Sequence, residues 1–231
     1  MITPEIIALY SASAIVFALA HSSGLMGWMR TLLLLALTFI ISLLFESVGV
    51  ATGLVYGGYH YSIDLGPMFL GLVPYIIPLA WFMMSYPSLV IAIRVVPRSH
   101  NMLIWVLLVS AVGALVMTAW DLAIDPLMVS FGFWSWDLVG PYYGIPLLNY
   151  FGWWLTTFTI FLTFLILARL ERVELIRSPT TYNRLPVVIY TITGLCTVLV
   201  ALDRGLTKPA LIGFFAMLPW ILLSWSGKVE E

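Results

Sequence analysis

Charged side chains are scarce in this chain of 231 residues: Asp, Glu, Lys and Arg make up 9% of it, against 62% for the hydrophobic types. An ordinary soluble domain carries roughly 25% charged residues, so this composition excludes that class. The formal net charge of -1 gives no positive field to attract phosphates, and we exclude nucleic acid as a partner. The composition indicates a polytopic membrane protein.

Cysteine is nearly absent, since Cys196 is the single example. The chain therefore forms no intrachain disulfide, and we expect this thiol, midway along an apolar run, to be packed among helices. The histidines His21, His60 and His100 fall in separate segments, and the chain has no Rossmann glycine pattern. We therefore expect neither a metal nor a cofactor. No basic residue precedes the first apolar run, which argues against a cleaved signal peptide, so we expect the first helix to be retained.

Apolar runs long enough to cross a bilayer core of about 30 Å occur about seven times. They lie near 4–20, 28–53, 67–96, 102–127, 146–170, 186–203 and 207–226. This pattern predicts an all-α protein with about seven transmembrane helices, folded as a single integral-membrane domain over residues 1–231.

The basic residues predict the orientation, because cytoplasmic loops collect Lys and Arg. Only Arg204 and Lys208 fall on one side of the predicted helices. The other side carries Arg30, Arg94, Arg98, Arg169, Arg172, Arg177, Arg184 and Lys228. We therefore expect the N-terminus outside and the C-terminus in the cytoplasm, with the protein in the cell membrane.

Two connections on the predicted outer side, 54–66 and 128–145, contain no Lys or Arg and are crowded with Tyr, Trp, Phe and Gly. Their aromatic area favours burial against the bundle or at the membrane interface, so we predict that they form a lid. The run near 67–96 contains four prolines, each of which removes a backbone donor, so its helix should be kinked or broken. They are Pro67, Pro74, Pro78 and Pro87.

Two acids, Asp121 and Asp125, stand one helical turn apart near the end of the fourth run. Placing them in hydrocarbon costs several kcal/mol unless they are needed there. Residues i and i+4 share a helix face about 6 Å apart, and Pro126 marks the expected end of this helix. Glu46 lies roughly 9 Å short of the end of the second run, at a similar depth. We therefore predict that three acids converge beneath the lid.

The predicted cluster has no Lys or Arg at its depth. Desolvation and mutual repulsion should then keep at least one carboxyl group protonated near neutral pH, which describes a proton donor. The alternative is that each acid caps a helix or accepts hydrogen bonds from Tyr, Trp or Asn149. Metal or diphosphate binding is poorly supported, because the acids lack histidine neighbours and a second acidic motif.

The predicted lid contributes three further polar residues, His60, Asp64 and Asp137. His60 is equally consistent with a proton shuttle at the entrance and with an interfacial histidine of no catalytic role. For Asp64 and Asp137 we favour a structural role.

Five segments carry the most specific motifs. They are FESVGVATG at 45–53, YGGYHY at 56–61, WDLAIDP at 120–126, WSW at 134–136 and YYGIPLLNYFGWW at 142–154. Together they resemble the membrane carotenoid hydratases, a family that includes the bacterial γ-carotene 1′-hydroxylases and the archaeal bisanhydrobacterioruberin hydratases. The resemblance covers about residues 46–154, and the last two helices add only hydropathy.

The resemblance implies a cofactor-free addition of water across the terminal C1–C2 double bond of an acyclic ψ end group, giving a tertiary alcohol. The residues fit acid catalysis: a carboxyl group protonates C2, aromatic faces shield the cation at C1, and water attacks. We expect Asp121 or Glu46 to be the acid and Asp125 the base that positions water. Substrate binding is assigned to Tyr56, Tyr59, His60, Trp120, Trp134, Trp136, Tyr142, Tyr143, Asn149 and Trp153.

Two other functions stay open on the sequence. A lycopene-cyclase-like enzyme would form the same cation and differ only in lacking the attacking water. A proton-coupled carrier would use intramembrane acids to relay protons. A retinal receptor would need a lysine deep in the last helix, whereas Lys208 stands at its start. The expected partners are an acyclic carotenoid, the lipid bilayer and other carotenoid-pathway membrane enzymes.

Overall fold

The computed structural model describes residues 4–168 and 180–226. Within them, seven helices are long and apolar enough to cross a membrane, which confirms the all-α prediction. They are α1 (Pro4–Met26), α2 (Trp28–Thr52), α3 (Ile76–Val95), α4 (Met102–Phe131), α5 (Leu147–Ala168), α6 (Thr181–Asp203) and α7 (Thr207–Ser226). The single-domain assignment stays a prediction.

Helix α6 is longer than the apolar run that predicted it. It begins at Thr181, five residues before the predicted start at 186, with a polar first turn. The side chain of Thr180 accepts a hydrogen bond from the backbone N–H of Asn183 and so caps the helix. Capping of this kind satisfies one of the free N–H groups at a helix start, which explains why polar sequence extends the helix.

Helix α3 is the centre of the bundle. Every residue from Trp81 to Arg94 is buried, and the helix contacts α1, α2, α4, α6 and α7. A helix that is apolar on all sides is typical of this buried position. Helix α5 lies at the periphery, where it packs against α2 and α4. The helices α2, α3, α4 and α5 therefore enclose a common space.

The predicted break in the third apolar run is confirmed. Strands β2 (Met68–Phe69) and β3 (Val73–Pro74) form a short antiparallel hairpin, and α3 begins only at Ile76. Pro67 and Pro74 thus precede the helix, while Pro87 lies inside it. The apolar run is long enough for one helix, but Pro67 and Pro74 favour the hairpin at its start, so the helix occupies only the rest of the run.

Pro126 does not end α4, so that prediction is wrong. The helix continues to Phe131 and stops at Gly132, which has a left-handed φ of 75°. A proline inside a helix leaves the carbonyl four residues earlier without its N–H partner. Here that carbonyl belongs to Leu122, and the hydroxyl of Tyr142 donates to it at 2.9 Å. The replacement bond comes from a distant segment, and it lets the helix continue past the proline.

The two aromatic connections form one unit, the cap, which comprises residues 53–75 and 132–146. Strand β1 (Tyr59–Tyr61) from the first connection pairs with strand β4 (Trp134–Trp136) from the second in antiparallel register. Tyr59 faces Trp136, and Tyr61 faces Trp134. The cap joins the ends of α2, α3, α4 and α5. We call this side of the bundle the cap end.

Cys196 is exposed on α6, so the prediction that its thiol is packed among helices is wrong. Its neighbours Leu195 and Leu199 are also exposed, at 43% and 63%. This face of α6 suits contact with lipid, where a thiol needs no partner.

The orientation in the membrane stays a prediction. Arg30, Arg94, Arg98 and Arg184 lie at the end opposite the cap, whereas Arg204 and Lys208 lie at the cap end. The remaining basic residues of the prediction, Arg169, Arg172, Arg177 and Lys228, lie outside the described residues.

We expect the cap end to face outward, and cysteine labelling tests this. In a Cys196→Ser background, Leu138→Cys in the cap should react with an impermeant maleimide on intact cells. His100→Cys, in the exposed connection at the opposite end, should react only after permeabilisation. The opposite pattern would reverse the assigned orientation.

Candidate active site

A cavity lies at the cap end between α2, α3, α4 and α5, with the cap above it. The space between the atoms of its lining, including the open mouth, is about 520 Å³. Its lining is mainly aromatic: Glu46, Tyr56, Tyr59, Tyr61, Ile77, Ala80, Trp81, Trp120, Ile124, Asp125, Trp134, Trp136, Asn149 and Trp153.

Glu46 is buried on the inner face of α2 and is surrounded by donors. The hydroxyl groups of Tyr59 and Tyr61 both donate to its Oε2, the latter at 2.8 Å. The indole N–H of Trp81 donates to Oε1 at 3.0 Å. Both carboxyl oxygens therefore already accept hydrogen bonds, from the cap on one side and from α3 on the other.

Tyr59 and Tyr61 of the cap keep their protons. Burial, and after it the negative charge of Glu46, raises the pKa of Tyr59 and of Tyr61 well above the ordinary value. Both phenols are thus fixed as donors to Glu46 at any physiological pH. The alternation of strand β1 places these two side chains on the face toward the cavity and His60 on the other face.

The second acidic group of the site is the pair Asp121 and Asp125 on α4. Both side chains are buried, and they interact directly with each other. Asn149 of α5 donates from its Nδ2 to both, at 3.3 Å to Asp121 Oδ2 and at shorter range to Asp125 Oδ2. Asp125 lines the cavity, whereas Asp121 lies behind it and does not. One amide therefore links the two carboxyl groups to α5.

Indole rings form the floor of the cavity. Trp81 of α3 and Trp153 of α5 stack with ring centroids 4.2 Å apart, and Trp120 of α4 meets Trp153 edge-on at 6.2 Å. The indole N–H of Trp120 donates to Thr197 Oγ1 at 3.0 Å, which fixes that ring. The π faces of such rings attract positive charge.

Tyr56 forms a wall between α2 and α5. Its hydroxyl lies 2.7 Å from Thr156 Oγ1. Its ring occupies space that exists only because Gly49 and Gly152 lack side chains: a Cβ on them would come within 2.6 Å and 2.5 Å of the ring. Burial raises the pKa of Tyr56 well above its ordinary value, so its hydroxyl also stays protonated.

The structure brings the three predicted acids together at one end of the bundle, but not every predicted binding residue. Tyr56, Tyr59, Trp120, Trp134, Trp136, Asn149 and Trp153 line the cavity, whereas His60, Tyr142 and Tyr143 do not. Tyr142 instead supports α4 through Leu122, and Tyr143 is 42% exposed. Burial, followed by the effect of Tyr143, raises the pKa of Tyr142 to about 12, which keeps it a donor.

His60 lies on the outer face of the cap, away from the cavity. Its Nδ1 is 3.3 Å from Asp137 Oδ1, and its Nε2 is 3.1 Å from Ser135 Oγ. These contacts link the two connections across the β1–β4 pair. Asp64, likewise in the cap, is exposed and accepts a hydrogen bond from Ser62 at 2.8 Å. The position of His60 does not support a proton shuttle into the cavity.

Five residues that line the cavity were missed in the sequence: the hydrogen-bonding residues Tyr61 and Trp81 and the apolar residues Ile77, Ala80 and Ile124. Tyr61 could have been found, because the alternation Tyr-His-Tyr places it beside Tyr59. Trp81 stands in a uniformly apolar run, and its only signal is that a buried indole N–H needs an acceptor. Within the described residues, no group of three or more His, Cys, Asp or Glu could hold a metal.

Comparison with known proteins identifies the class to which this membrane-embedded site belongs. Residues 5–219 match the family described as "Carotenoid biosynthesis protein", and the chain belongs to that family. It is similar to the bisanhydrobacterioruberin hydratase of Haloarcula japonica, with 38% identity over 126 residues. The matched region is 54% of this chain and 41% of that relative. No solved structure matches the chain.

The close fit around Tyr56 predicts that Gly152→Ala is destabilising. Glycine to alanine normally stabilises a helix by roughly 0.5–1 kcal/mol. Here the new Cβ would lie 2.5 Å from the Tyr56 ring and 2.6 Å from the carbonyl oxygen of Val55, a backbone atom that cannot rotate away. We expect a loss of about 1–3 kcal/mol, the usual cost of overpacking, measured as a lower midpoint of thermal unfolding in detergent.

The matched control is Leu148→Ala, an exposed position on the same helix, which should leave the midpoint nearly unchanged. A Gly152→Ala variant as stable as the parent would show that Tyr56 is not held in this position.

Proposed function

We propose that this chain is a carotenoid hydratase that adds water across the C1–C2 double bond of an acyclic ψ end group. The observation that carries the proposal is the cavity itself, in which carboxyl groups from α2 and α4 face a space with aromatic walls. Membership of a carotenoid biosynthesis family and the similarity to a hydratase support it. The substrate, an acyclic carotenoid, is dissolved in the bilayer that surrounds the helices, which we place in the cell membrane.

The proton donor is assigned to the Asp121 and Asp125 pair. Two carboxyl groups in contact cannot both ionise easily, so the pair retains one proton. Asp125 faces the cavity and delivers that proton to C2, while Asp121 and Asn149 hold it in place. This assignment exchanges the roles expected from the sequence, where Asp125 was the base, because Asp121 does not reach the cavity.

Glu46 is assigned as the base that positions water. Its two oxygens accept three hydrogen bonds from Tyr59, Tyr61 and Trp81, so the carboxylate has a fixed orientation. A carboxylate oxygen has about two acceptor sites, which leaves room for a water molecule. That water attacks C1 and gives up one proton to Glu46. The proton then returns from Glu46 to the aspartate pair through solvent. The sum is the addition of one water, without change of oxidation state.

The tertiary cation at C1 is stabilised by the faces of Trp81, Trp153 and Trp120. A π face stabilises a nearby cation by about 0.5–2 kcal/mol, more where water is excluded. The enclosed position also prevents loss of the cation to side reactions. A cyclase-like enzyme would share these walls, but the polar surroundings of Glu46 favour a bound water over an internal double bond as the nucleophile.

The function is tested by expressing the chain in cells that make lycopene or a C50 acyclic carotenoid. The pigment should gain the mass of one water for each hydrated end group, and chromatography and mass spectrometry detect it. An unchanged pigment, or an isomer of unchanged mass with a ring, would contradict hydration.

In the same assay, Asp121→Asn, Asp125→Asn and Glu46→Gln should each lower product formation by about 100-fold or more, since general acid and base groups contribute roughly 10²–10⁴-fold. Each substitution nearly preserves shape, so the protein should still insert and fold. Asp137→Asn is the matched control, because this acid lies on the outer face of the cap at 61% exposure. If two of the three acid variants kept near-normal turnover, the acid mechanism would be wrong.

A further inference from the structure

The cavity presents carboxyl groups without a basic counterpart. Glu46 and Asp125 line it, and no Lys, Arg or His does so in the described part of the chain. The basic residue Arg204, at the same end of the bundle, is directed elsewhere, since its guanidinium lies 4.2 Å above the ring of Phe131. The polar groups around the acids are neutral donors, which orient the carboxyl groups without cancelling their charge.

The walls add a second feature that favours positive charge. Eight of the fourteen lining residues are Tyr or Trp. Trp81 and Trp153, which stack on each other, both line the cavity, and Trp81 also donates to Glu46, so a ring and a carboxyl group adjoin. Aromatic boxes with a nearby carboxylate are the usual arrangement for alkylated ammonium groups, which are too bulky for a single ion pair.

We propose that the cavity binds lipophilic ammonium ions, with the alkylated nitrogen beside Glu46 and against the rings of Trp81 and Trp153. The alkyl tail would occupy the path of the polyene chain. The position of the nitrogen rests on the proposed function, because the tertiary cation at C1 would stand at the same point. The binding itself requires only the carboxyl groups and the rings, so it can be tested apart from catalysis.

The test measures binding of octyltrimethylammonium to the whole protein in lipid nanodiscs by calorimetry. The comparison ligand is its neutral isostere, in which a carbon atom replaces the nitrogen. After correction for partition into protein-free nanodiscs, the ammonium should bind at least about tenfold more tightly, which corresponds to ~1.4 kcal/mol. It should also inhibit carotenoid hydration in competition with the substrate.

Substitutions in the cavity test where the ammonium group of the ligand binds. Glu46→Gln should remove most of the preference for the charged ligand, and Trp153→Leu should weaken it. Trp153→Phe keeps a π face and should retain much of it, which separates loss of the ring from loss of packing. Asp137→Asn, on the outer face of the cap, should leave the preference unchanged.

Equal binding of the charged and neutral ligands, in a protein that hydrates carotenoids, would overturn this inference and leave the proposed function standing. A charge preference that depends on Glu46, in a protein that makes no hydrated carotenoid, would support the inference and reject the proposed function. A preference that survives both Glu46→Gln and Asp125→Asn would place the ammonium elsewhere and also overturn it.

Discussion

A carboxyl group buried among apolar helices costs several kcal/mol unless hydrogen-bond donors surround it, and this requirement organises the cap end of the protein. Glu46 obtains its donors from Tyr59 and Tyr61 of the cap and from Trp81 of α3. The aspartates obtain theirs from Asn149 of α5. The donors come from three different parts of the chain, so the site exists only when the helices and the cap are assembled together.

The cap contributes more than a cover. Its strand pair β1–β4 holds the two tyrosines over Glu46, and the indole N–H of Trp136 donates to the carbonyl of Tyr56 at 3.0 Å. Tyr142 replaces the hydrogen bond that Pro126 removes from α4, so the helix that carries the aspartates continues unbroken. Aromatic residues that a hydropathy argument would place at the membrane interface thus act as hydrogen-bond donors to the site.

Much of this arrangement could be predicted from the sequence, and the failures have identifiable physical causes. Length and hydropathy predict the seven helices, and helical depth predicts the meeting of Glu46 with Asp121 and Asp125, because both depend on local periodicity. The continuation of α4 past Pro126 could not be predicted, because it depends on the hydroxyl group of Tyr142, sixteen residues further along the chain. Strand alternation, which local sequence does contain, places His60 on the face of the cap away from the cavity, and the binding role given to it stays a prediction.

The origin of the atoms added to the substrate tests the central claim most directly. If a carboxyl group protonates C2 and water captures C1, both the new hydroxyl oxygen and one new hydrogen at C2 come from the solvent. The reaction should be run without oxygen or added reductant, in water enriched in ¹⁸O and deuterium. Mass spectrometry should then find one heavy oxygen and one carbon-bound deuterium in each hydrated end group. A product with deuterium but no added oxygen would indicate cyclisation, and a hydroxyl oxygen derived from O₂ would contradict hydration.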